Sequence, residues 1–302
     1  MKLLLFNDYN LGVLKGDRVV DVTRAVPNAN QMPKTPLGGE AIMENVIENF
    51  DSLRSKLESI VSQEGGVPTS EVKIRPPLPR PPNALCAFSN YQDRDTTEPR
   101  PPVYSLDFFH KSASSIIGQD GLVELPDLPE ALVFQPEPEF AYVMGRTAKN
   151  VPEGQALDYV FGYMNFADIS ARNIPNRRTT FLHKSQDTWA PMGPVIVTKD
   201  EVPDPQNVQV KLWLNGEQRQ DYNTSAMTQP VAAQIGWLSQ CITLQPGDVV
   251  SCGTHHVGLS PINEGDRVEV EGQGLERLRF SVKSYGPRKD EFWGPPGVRR
   301  VH

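Results

Sequence analysis

Proline limits what this chain can fold into. The sequence of 302 residues contains 28 prolines, about 9% of the chain where about 5% is usual. Proline has no backbone N–H and restricts the residue before it, so it interrupts helix interiors and the middle of sheets. The stretch Ile74 to Pro82 (IRPPLPRPP) is therefore expected to be an extended connection. We predict a domain boundary there, with a small N-terminal domain over residues 1–75 and a larger domain over residues 76–302.

Hydrophobic spacing predicts that strands dominate. Residues 3–22 contain short apolar runs separated by turn residues, which indicates antiparallel strands. From Gly39 to about Ser62, apolar residues recur at spacings of three and four, which predicts one amphipathic helix. Beyond the proline-rich stretch, short β-like runs alternate with Pro and Gly, and helix is expected mainly at 154–161 and 227–241. The predicted fold class is mostly β (α+β), with a mixed-sheet body and a small N-terminal α/β domain.

Charge and composition argue against several kinds of partner. The formal net charge is −7, and Lys and Arg are scattered along the chain, so the basic surface of a nucleic-acid-binding protein is not expected. The apolar start Met1 to Phe6 is too short for a signal-peptide core, and no apolar run is long enough to span a bilayer. The cysteines Cys86, Cys241 and Cys252 are too far apart to predict a zinc site or a disulfide framework. We expect a cytoplasmic protein with no nucleic-acid or membrane partner.

An acidic motif is the clearest candidate for chemistry. Glu137 and Glu139 lie two residues apart before the apolar run FAYVM, and in a strand such side chains project from the same face. Asp168 is a third acidic residue in an apolar or small-residue stretch, where a buried carboxylate needs a metal or an arginine to compensate it. Three carboxylates suit a hard cation such as Mg²⁺, Mn²⁺ or Ca²⁺ better than zinc. A solvated strand edge with one salt bridge to Asp168 is the alternative.

Short motifs in a fixed order run through most of the chain, from about Pro79 to Val282. In chain order they are Asn90-Tyr91, Phe109 to Ser114, Glu137 to Gly145, Asp158 to Arg172, Lys184 to Asp187, Pro191 to Pro194, Leu214 to Gly216, Arg219-Gln220, Leu244 to Asp248 and Gly253-Thr254. Together they resemble the fumarylacetoacetate hydrolase family. The resemblance implies a mixed β-sandwich roll, a homodimer, and Mg²⁺ or Mn²⁺ held by Glu137, Glu139 and Asp168, with Ca²⁺ as an alternative in crystals. Family members hydrolyse C–C bonds in acylpyruvates and related diketo acids, or decarboxylate, dehydrate, hydrate or isomerise 2-oxo acids.

The resemblance also implies roles for charged residues around the metal. Lys184 matches a lysine that neutralises an oxyanion or pairs with the carboxylates, with a plain salt bridge as the alternative, and Asp187 would orient it. Arg172 would hold Asp168 or an outer carboxylate, or make only a structural pair. His110 and Lys111 point in opposite directions in a probable strand, so we expect His110 to pack and Lys111 to be structural or near the site.

Substrate contacts are implied on three further segments. Gly253 and Thr254 fit the position that binds the substrate carboxylate. Gln220 matches a loop that reaches towards the substrate in relatives, with a surface position as the alternative. Tyr104, with other bulky residues in the loops, indicates a partly apolar substrate tail.

Two departures from the family pattern concern the catalytic base. In many relatives a His and, three residues later, a Glu activate water after the Asn-Tyr pair; here those positions are Arg94 and Thr97, and Glu98 is the nearest carboxylate. Hydrolysis needs a proton acceptor within reach of the attacking water. After the Gly-Thr pair, this chain has His255 and His256 where many relatives have proline. Adjacent loop histidines can supply the replacement base, and packing or exposure in the loop is the alternative.

The sequence therefore predicts a metal-dependent enzyme for a small anionic 2-oxo or 2,4-dioxo acid. Hydrolysis of a C–C bond is the first expectation. A lyase or isomerase using the same site is the second, because it needs a metal-stabilised enolate but no water-activating pair. A catalytically inactive member that binds metal and ligand is the third.

Overall fold

Strands dominate the fold. The computed structural model describes residues 1–91, 102–174 and 180–291, and these ranges contain 17 β-strands. They are β1 (Lys2–Phe6), β2 (Asn10–Lys15), β3 (Arg18–Asp21), β4 (Val67–Pro68), β5 (Ile74–Arg75), β6 (Ala84–Phe88), β7 (Asp107–His110), β8 (Ile116–Ile117), β9 (Gly121–Leu125), β10 (Val133–Met144), β11 (Val160–Arg172), β12 (Ala190–Thr198), β13 (Gln209–Leu214), β14 (Glu217–Asn223), β15 (Val249–Ser251), β16 (Arg267–Gly272) and β17 (Leu278–Ser284). The prediction of a mostly β fold is confirmed.

The α-helices of the described ranges are α1 (Pro36–Glu48), α2 (Phe50–Gln63), α3 (Phe181–Lys184) and α4 (Val231–Cys241). The prediction of a single helix before the proline-rich stretch is wrong, because α1 and α2 meet at Asn49. This residue has φ −111° and ψ 17°, and its side chain donates to the carbonyl of Asn45 at 2.9 Å, so the amide competes with the regular helical hydrogen bonds. The helix predicted at 154–161 is a 3₁₀ helix, Glu153–Tyr159. No helix in the described ranges is both long and apolar enough to span a bilayer.

Two sheets contain all of these strands. The larger has the order β4-β3-β2-β1-β12-β11-β10-β15-β6-β7, with β5 paired to β1 and β8 to β12, and the smaller has the order β14-β13-β16-β17-β9. Most neighbours are antiparallel, but β6 with β15, β8 with β12 and β9 with β17 are parallel. The sheets are therefore mixed, as predicted.

The N-terminal strands belong to the larger sheet. β1 pairs antiparallel with β12, with Lys2 opposite Val197 and Leu3 opposite Ile196. Leu3, Leu4 and Leu5 have no exposed surface, because both faces of β1 are covered. The division of the chain at residue 75 stays a prediction.

The central strands β10 and β11 are long and buried at every position. They pair with each other over their whole length, and a core cluster that includes Phe134 and Trp189 packs between them and the smaller sheet. The two rings meet edge to face, with centroids 5.8 Å apart. Polar side chains on these strands are therefore carried into the interior.

Candidate metal centre

Strand register brings the three predicted carboxylates together. Glu137 on β10 is directly opposite Asp168 on β11, so both side chains project from the same face of the sheet. Glu139, two residues along β10, projects from that face as well. One oxygen from each carboxylate lies within 4.8 Å of the others, and the residues are 3%, 1% and 1% exposed. The alternative of a solvated strand edge is wrong.

Lys184, the last residue of α3, lies among these carboxylates. Its Nζ donates to Glu137 Oε2, Asp168 Oδ2 and Ser170 Oγ, each at 2.6 Å. Burial favours the neutral amine, but Asp168 and Glu137 attract the ammonium and raise the pKa of Lys184 above its ordinary value. The Phe109 ring lies 5.3 Å from the Nζ atom, a cation–π distance. Lys184 is therefore held in its charged form at the centre of the site.

Lys111 is a second lysine in contact with the site. Its Nζ forms an ion pair with Asp168 Oδ1, the oxygen that does not accept from Lys184. It also donates to the backbone carbonyls of Ile169 at 3.4 Å, Lys184, and Trp189 at 2.9 Å. The expectation that Lys111 is structural or near the site agrees with both kinds of contact.

Arg172 pairs with Glu137 and not with Asp168, the first of its two expected partners. Its Nη2 contacts Glu137 Oε1, and its Nε donates to Gln135 Oε1 at 3.0 Å. The strand period explains this, because Arg172 is four residues beyond Asp168 on β11 and lies opposite Val133, beside the Gln135 end of β10. Arg172 thus compensates Glu137.

The pKa values of the three carboxyl groups diverge. Burial raises the pKa of Glu139 to about 8, helped by repulsion from Asp168 and Glu137. Burial also raises the pKa of Asp168, although Lys111 and Lys184 oppose it. For Glu137, burial is outweighed by Arg172, Lys184 and His256, which hold its pKa well below the usual range.

A divalent cation fits this set of donors. Three carboxylates converge in a buried space with oxygen ligands alone, which suits a hard cation. Glu139 accepts hydrogen bonds from the neutral donors Ser251 Oγ at 2.5 Å and Gly253 N at 2.8 Å. The raised pKa of Glu139 shows that these neutral donors do not balance the negative charge of its buried carboxylate. A bound cation would supply the missing positive charge.

The loop that follows β15 borders the site. Gly253 has φ +85°, a backbone conformation that favours glycine, and this turn directs its N–H to Glu139. That N–H was expected to bind a substrate carboxylate, and in the structure it is occupied by Glu139. Thr254 is buried, and its Oγ1 donates to the carbonyl of His255 at 3.3 Å.

The two adjacent histidines occupy different environments. His256 Nε2 lies 3.9 Å from Glu137 Oε1, and its side chain is 13% exposed. His255 stacks on Tyr222, with ring centroids 5.9 Å apart and planes at 25°. Gln220 is buried and donates from Nε2 to the carbonyl of His255 at 2.6 Å, so the surface alternative for Gln220 is wrong. The structure brings His256 to the metal site and places His255 against an aromatic ring.

Other predicted residues lie elsewhere. Asp187 is exposed and is not among the carboxylates that contact the Lys184 ammonium, so the prediction that it orients Lys184 is wrong. His110 is exposed, which contradicts the expected packing, because β7 is the last strand of the larger sheet. Tyr104 is 70% exposed. Glu98, Arg94 and Thr97 lie outside the described residues.

Sequence reasoning missed three polar residues of the site. Ser170 and Gln135 are both fully buried and directly opposite each other on β11 and β10. The signal was available, because each is two residues from a predicted ligand and so shares its strand face. Ser251, which donates to Glu139, comes from β15, and its approach depends on sheet order that the sequence did not reveal.

Comparison with known proteins identifies the family. A family model described as fumarylacetoacetate (FAA) hydrolase C-terminal matches residues 83–283. The chain belongs to the fumarylacetoacetate hydrolase family. The matched region contains the three carboxylates and, among the described residues, the lysines and the arginine that pair with them, Lys111, Arg172 and Lys184. The resemblance inferred from short motifs is confirmed.

Individual relatives of this family include both hydrolases and isomerases. Maleylpyruvate hydrolase of Aquipseudomonas alcaligenes is 30% identical over 298 residues, covering 94% of this chain and 100% of that protein. The crystal structure of maleylpyruvate hydrolase from Sphingobium sp. SYK-6 in complex with manganese(II) ion and pyruvate has a TM-score of 0.83 and 29% identity, covering 95% of this chain and 100% of that chain. The structure of 5-carboxymethyl-2-hydroxymuconate delta-isomerase from Mycobacterium smegmatis has a TM-score of 0.66 and 30% identity, covering 73% of this chain and 85% of that chain. The two solved structures share the fold of this chain, and the three relatives together support a metal-dependent enzyme acting on a small acid.

Proposed function

We propose that this chain is a divalent-metal-dependent hydrolase that cleaves a C–C bond in a small 2,4-dioxo acid of the acylpyruvate class. The observation that carries the proposal is the buried group of three carboxylates with Lys184 Nζ 2.6 Å from oxygens of two of them. The similarity to two maleylpyruvate hydrolases makes maleylpyruvate the first substrate to test.

Different residues of the chain have different roles around the proposed metal. Glu137, Glu139 and Asp168 would hold the divalent cation, which would supply Lewis acidity for a 2-oxo acid when bound. Lys184 neutralises negative charge on a substrate oxygen, because its ammonium is buried and fixed by three acceptors before the substrate arrives. Arg172 keeps Glu137 in place through its Nη2 contact.

His256 is the general base of the proposal. It lies between Glu137 and solvent, since its side chain is 13% exposed. His256 takes a proton from a water molecule whose oxygen adds to the C4 carbonyl, and the C3–C4 bond then breaks. C3 takes up a proton, and two carboxylic acids leave. Glu98 is kept as a second candidate for the base, and it lies outside the described residues.

Substrate-binding roles are assigned by position around this centre. Thr254 is buried beside His255, and we assign its hydroxyl to the substrate carboxylate. Gln220 holds the carbonyl of His255 and thereby shapes the loop that carries His256. Tyr104 is exposed and is assigned to the distal end of the substrate.

An isomerase or lyase is the second candidate function. Two observations favour it: the similarity to a delta-isomerase, and the Arg94 and Thr97 that stand where many relatives have a His and a Glu. Such a reaction needs the same metal and Lys184 but no activated water. It would give a rearranged acid, an unsaturated acid or CO₂ in place of two acids.

Turnover of maleylpyruvate by metal-depleted and metal-loaded protein tests the proposal. Protein treated with EDTA and then given Mn²⁺ or Mg²⁺ is incubated with maleylpyruvate, the enol absorbance is followed, and products are identified by mass. Metal-dependent formation of maleate and pyruvate supports the hydrolase. A rearranged acid supports the isomerase, and metal binding without turnover of maleylpyruvate or oxaloacetate supports an inactive member. Pyruvate alone, which lacks the 4-oxo group, is the control substrate.

The native ion and the assembly are also proposed. The ion is Mg²⁺ or Mn²⁺, supported by the hard-cation ligand set, and metal analysis of protein purified without added metal tests it. We also propose a homodimer, which the family resemblance implies, and a cytoplasmic location, which the widely spaced cysteines favour. Size-exclusion chromatography with light scattering measures the subunit number.

A further inference from the structure

Pro138 stands between two of the proposed metal ligands, Glu137 and Glu139. It lies in the long strand β10 but has no backbone N–H to donate to a neighbouring strand. Its backbone can therefore be hydrogen-bonded only through its carbonyl oxygen. Since this carbonyl belongs to the peptide group that joins Pro138 to Glu139, its direction determines how the Glu139 side chain projects from the strand.

The Pro138 carbonyl lies at an edge of β10 where the neighbouring strand has ended. Carbonyls two residues apart in a strand point in the same direction, and the carbonyl of Phe140 accepts from the N–H of Cys252, just after β15, at 3.0 Å. The pairing of β10 with β15 extends towards Pro138 only as far as Ala141 opposite Ser251. The Pro138 carbonyl thus points beyond the last pair of these strands, and a buried acceptor there needs a donor from elsewhere.

Tyr222, on β14 of the smaller sheet, supplies that donor. Its hydroxyl donates to the Pro138 carbonyl at 2.5 Å, and the residue is 7% exposed. Burial raises the pKa of Tyr222 well above its ordinary value, so the hydroxyl keeps its proton and stays a donor. The ring stacks on His255 and meets the Tyr91 ring edge to face, with centroids 5.0 Å apart. A donor fixed on two sides therefore holds the peptide group between Pro138 and the next residue.

We propose that Tyr222 is a positioning residue whose hydroxyl orients Glu137 and Glu139 through the Pro138 carbonyl and so sets the affinity of the site for a divalent cation. Without this hydrogen bond the peptide group after Pro138 is free to rotate, and the two carboxylates no longer converge as they do in the structure. Groups that orient metal ligands from outside typically contribute about 10–100-fold in metal affinity. The inference rests on the proposed metal site and adds a residue that orients two of its ligands.

Tyr222→Phe tests the inference, because it removes the hydroxyl and keeps both ring contacts. Equilibrium dialysis of metal-depleted protein against Mn²⁺ gives the number of bound ions per chain and the Kd. We expect Tyr222→Phe to bind one ion per chain with a Kd about tenfold higher than that of wild type. Displaced ligands raise the Kd, whereas a loss of folded protein lowers the number of bound ions and leaves the Kd of the folded chains unchanged. The two quantities therefore separate positioning from a purely structural role.

Tyr142→Phe is the matched control. Tyr142 also lies on β10 and is 0% exposed, and among the described residues its hydroxyl has no hydrogen-bond partner. Both variants lose one buried tyrosine hydroxyl, and Tyr142→Phe is expected to keep the wild-type Kd. A wild-type Kd in Tyr222→Phe, or an equal rise of the Kd in both variants, overturns the inference and leaves the proposed function standing. If wild-type protein binds no Mn²⁺, the proposed function fails together with the inference.

A measurement on wild-type protein covers the case in which Tyr222→Phe does not fold. A crystal structure of wild-type protein with Mn²⁺ shows whether the Tyr222 hydroxyl contacts the Pro138 carbonyl while Glu137 and Glu139 hold the ion. A hydrogen bond kept in the loaded site supports the inference. A hydroxyl that has moved out of hydrogen-bond distance from the Pro138 carbonyl contradicts it.

Discussion

Glu137 and Asp168 are directly paired residues of neighbouring antiparallel strands, and their carboxylates meet on one buried face of the sheet. The strand register determines that both carboxylates lie on the same face, because a shift by one residue would turn one of the two side chains to the opposite face. The ligand positions thus depend on backbone hydrogen bonds of β10 and β11. Substitutions at these positions should change the chemistry of the site while the strands keep their places.

Replacing Glu139 by Ala should abolish tight metal binding. Glu139 is one of three carboxylates around the site, and we expect Mn²⁺ affinity to fall by more than about 100-fold, the upper end of the effect of losing an outer-shell partner. Equilibrium dialysis with Mn²⁺ measures it. Glu48→Gln changes an exposed glutamate on α1 and serves as the control. Unchanged Mn²⁺ affinity in Glu139→Ala would show that the site assignment is wrong.

Replacing Lys184 by Met should separate catalysis from metal binding. The ammonium contacts two carboxylates, so its removal leaves the ligands in place and lessens repulsion of an incoming ion. We expect Mn²⁺ to bind at least as tightly, while kcat falls by about 10²–10³-fold, as for loss of an oxyanion donor. Steady-state kinetics at saturating Mn²⁺, with dialysis on the same sample, measures both. Equal losses of kcat and of bound metal would assign Lys184 to the ion alone.

The two adjacent histidines should respond differently to alanine. His256 lies 3.9 Å from Glu137 Oε1, and as the base it should account for about 10²–10⁴-fold in kcat. His255 stacks on Tyr222, so His255→Ala should keep kcat near wild type and lower the free energy of unfolding by about 0.5–1.5 kcal/mol. Kinetics and urea unfolding of both variants test this. A large kcat loss in His255→Ala alone would exchange the two roles.

Glu40 should make the protein less stable as pH rises. Burial raises the pKa of Glu40 from 4.5 to about 8, so between these values the folded chain keeps a proton that the unfolded chain releases. The folded state then binds more protons, and the free energy of unfolding falls as pH rises from about 4.5 to about 8. In that range one bound proton lowers the free energy of unfolding by at most about 1.4 kcal/mol per pH unit.

Glu40→Gln tests this directly, because the amide resembles the protonated acid. We expect the variant to match wild type near pH 5 and to have a higher melting temperature near pH 8. Thermal unfolding at both pH values measures the difference, with Glu48→Gln on the same helix as the control. Equal melting temperatures of Glu40→Gln and wild type at both pH values would contradict the buried, protonated Glu40.

The strand periodicity of the sequence was sufficient to predict much of the metal site. The spacing of Glu137 and Glu139 and the apolar surroundings of Asp168 were visible in the sequence, and alternation alone puts such residues on one face. The break at Asn49 was missed, because apolar spacing continues across it and the competing side-chain hydrogen bond is a local effect. Lys111 could not be assigned a partner, since its acceptors belong to residues 58 to 78 positions away in the chain.

The histidines show a different limit. His255 and His256 are neighbours in a loop, and nothing in their identity tells which one turns towards Glu137. Their orientations follow from Gln220 holding one carbonyl and from the ring of Tyr222, both on β14 in the other sheet. Contacts of this kind depend on how two sheets pack, which local sequence patterns do not encode.

The pairing of β1 with β12 places the N-terminal strands close to the strands that carry the proposed metal ligands. β12 pairs in turn with β11, the strand that carries Asp168. A chain shortened to residues 76–302 would leave β12 as an open strand with unpaired N–H and C=O groups, and such an edge is a template for pairing with another chain. The N-terminal strands therefore cover a sheet edge that would otherwise promote aggregation. A shortened protein should precipitate even though every proposed ligand and base remains in it.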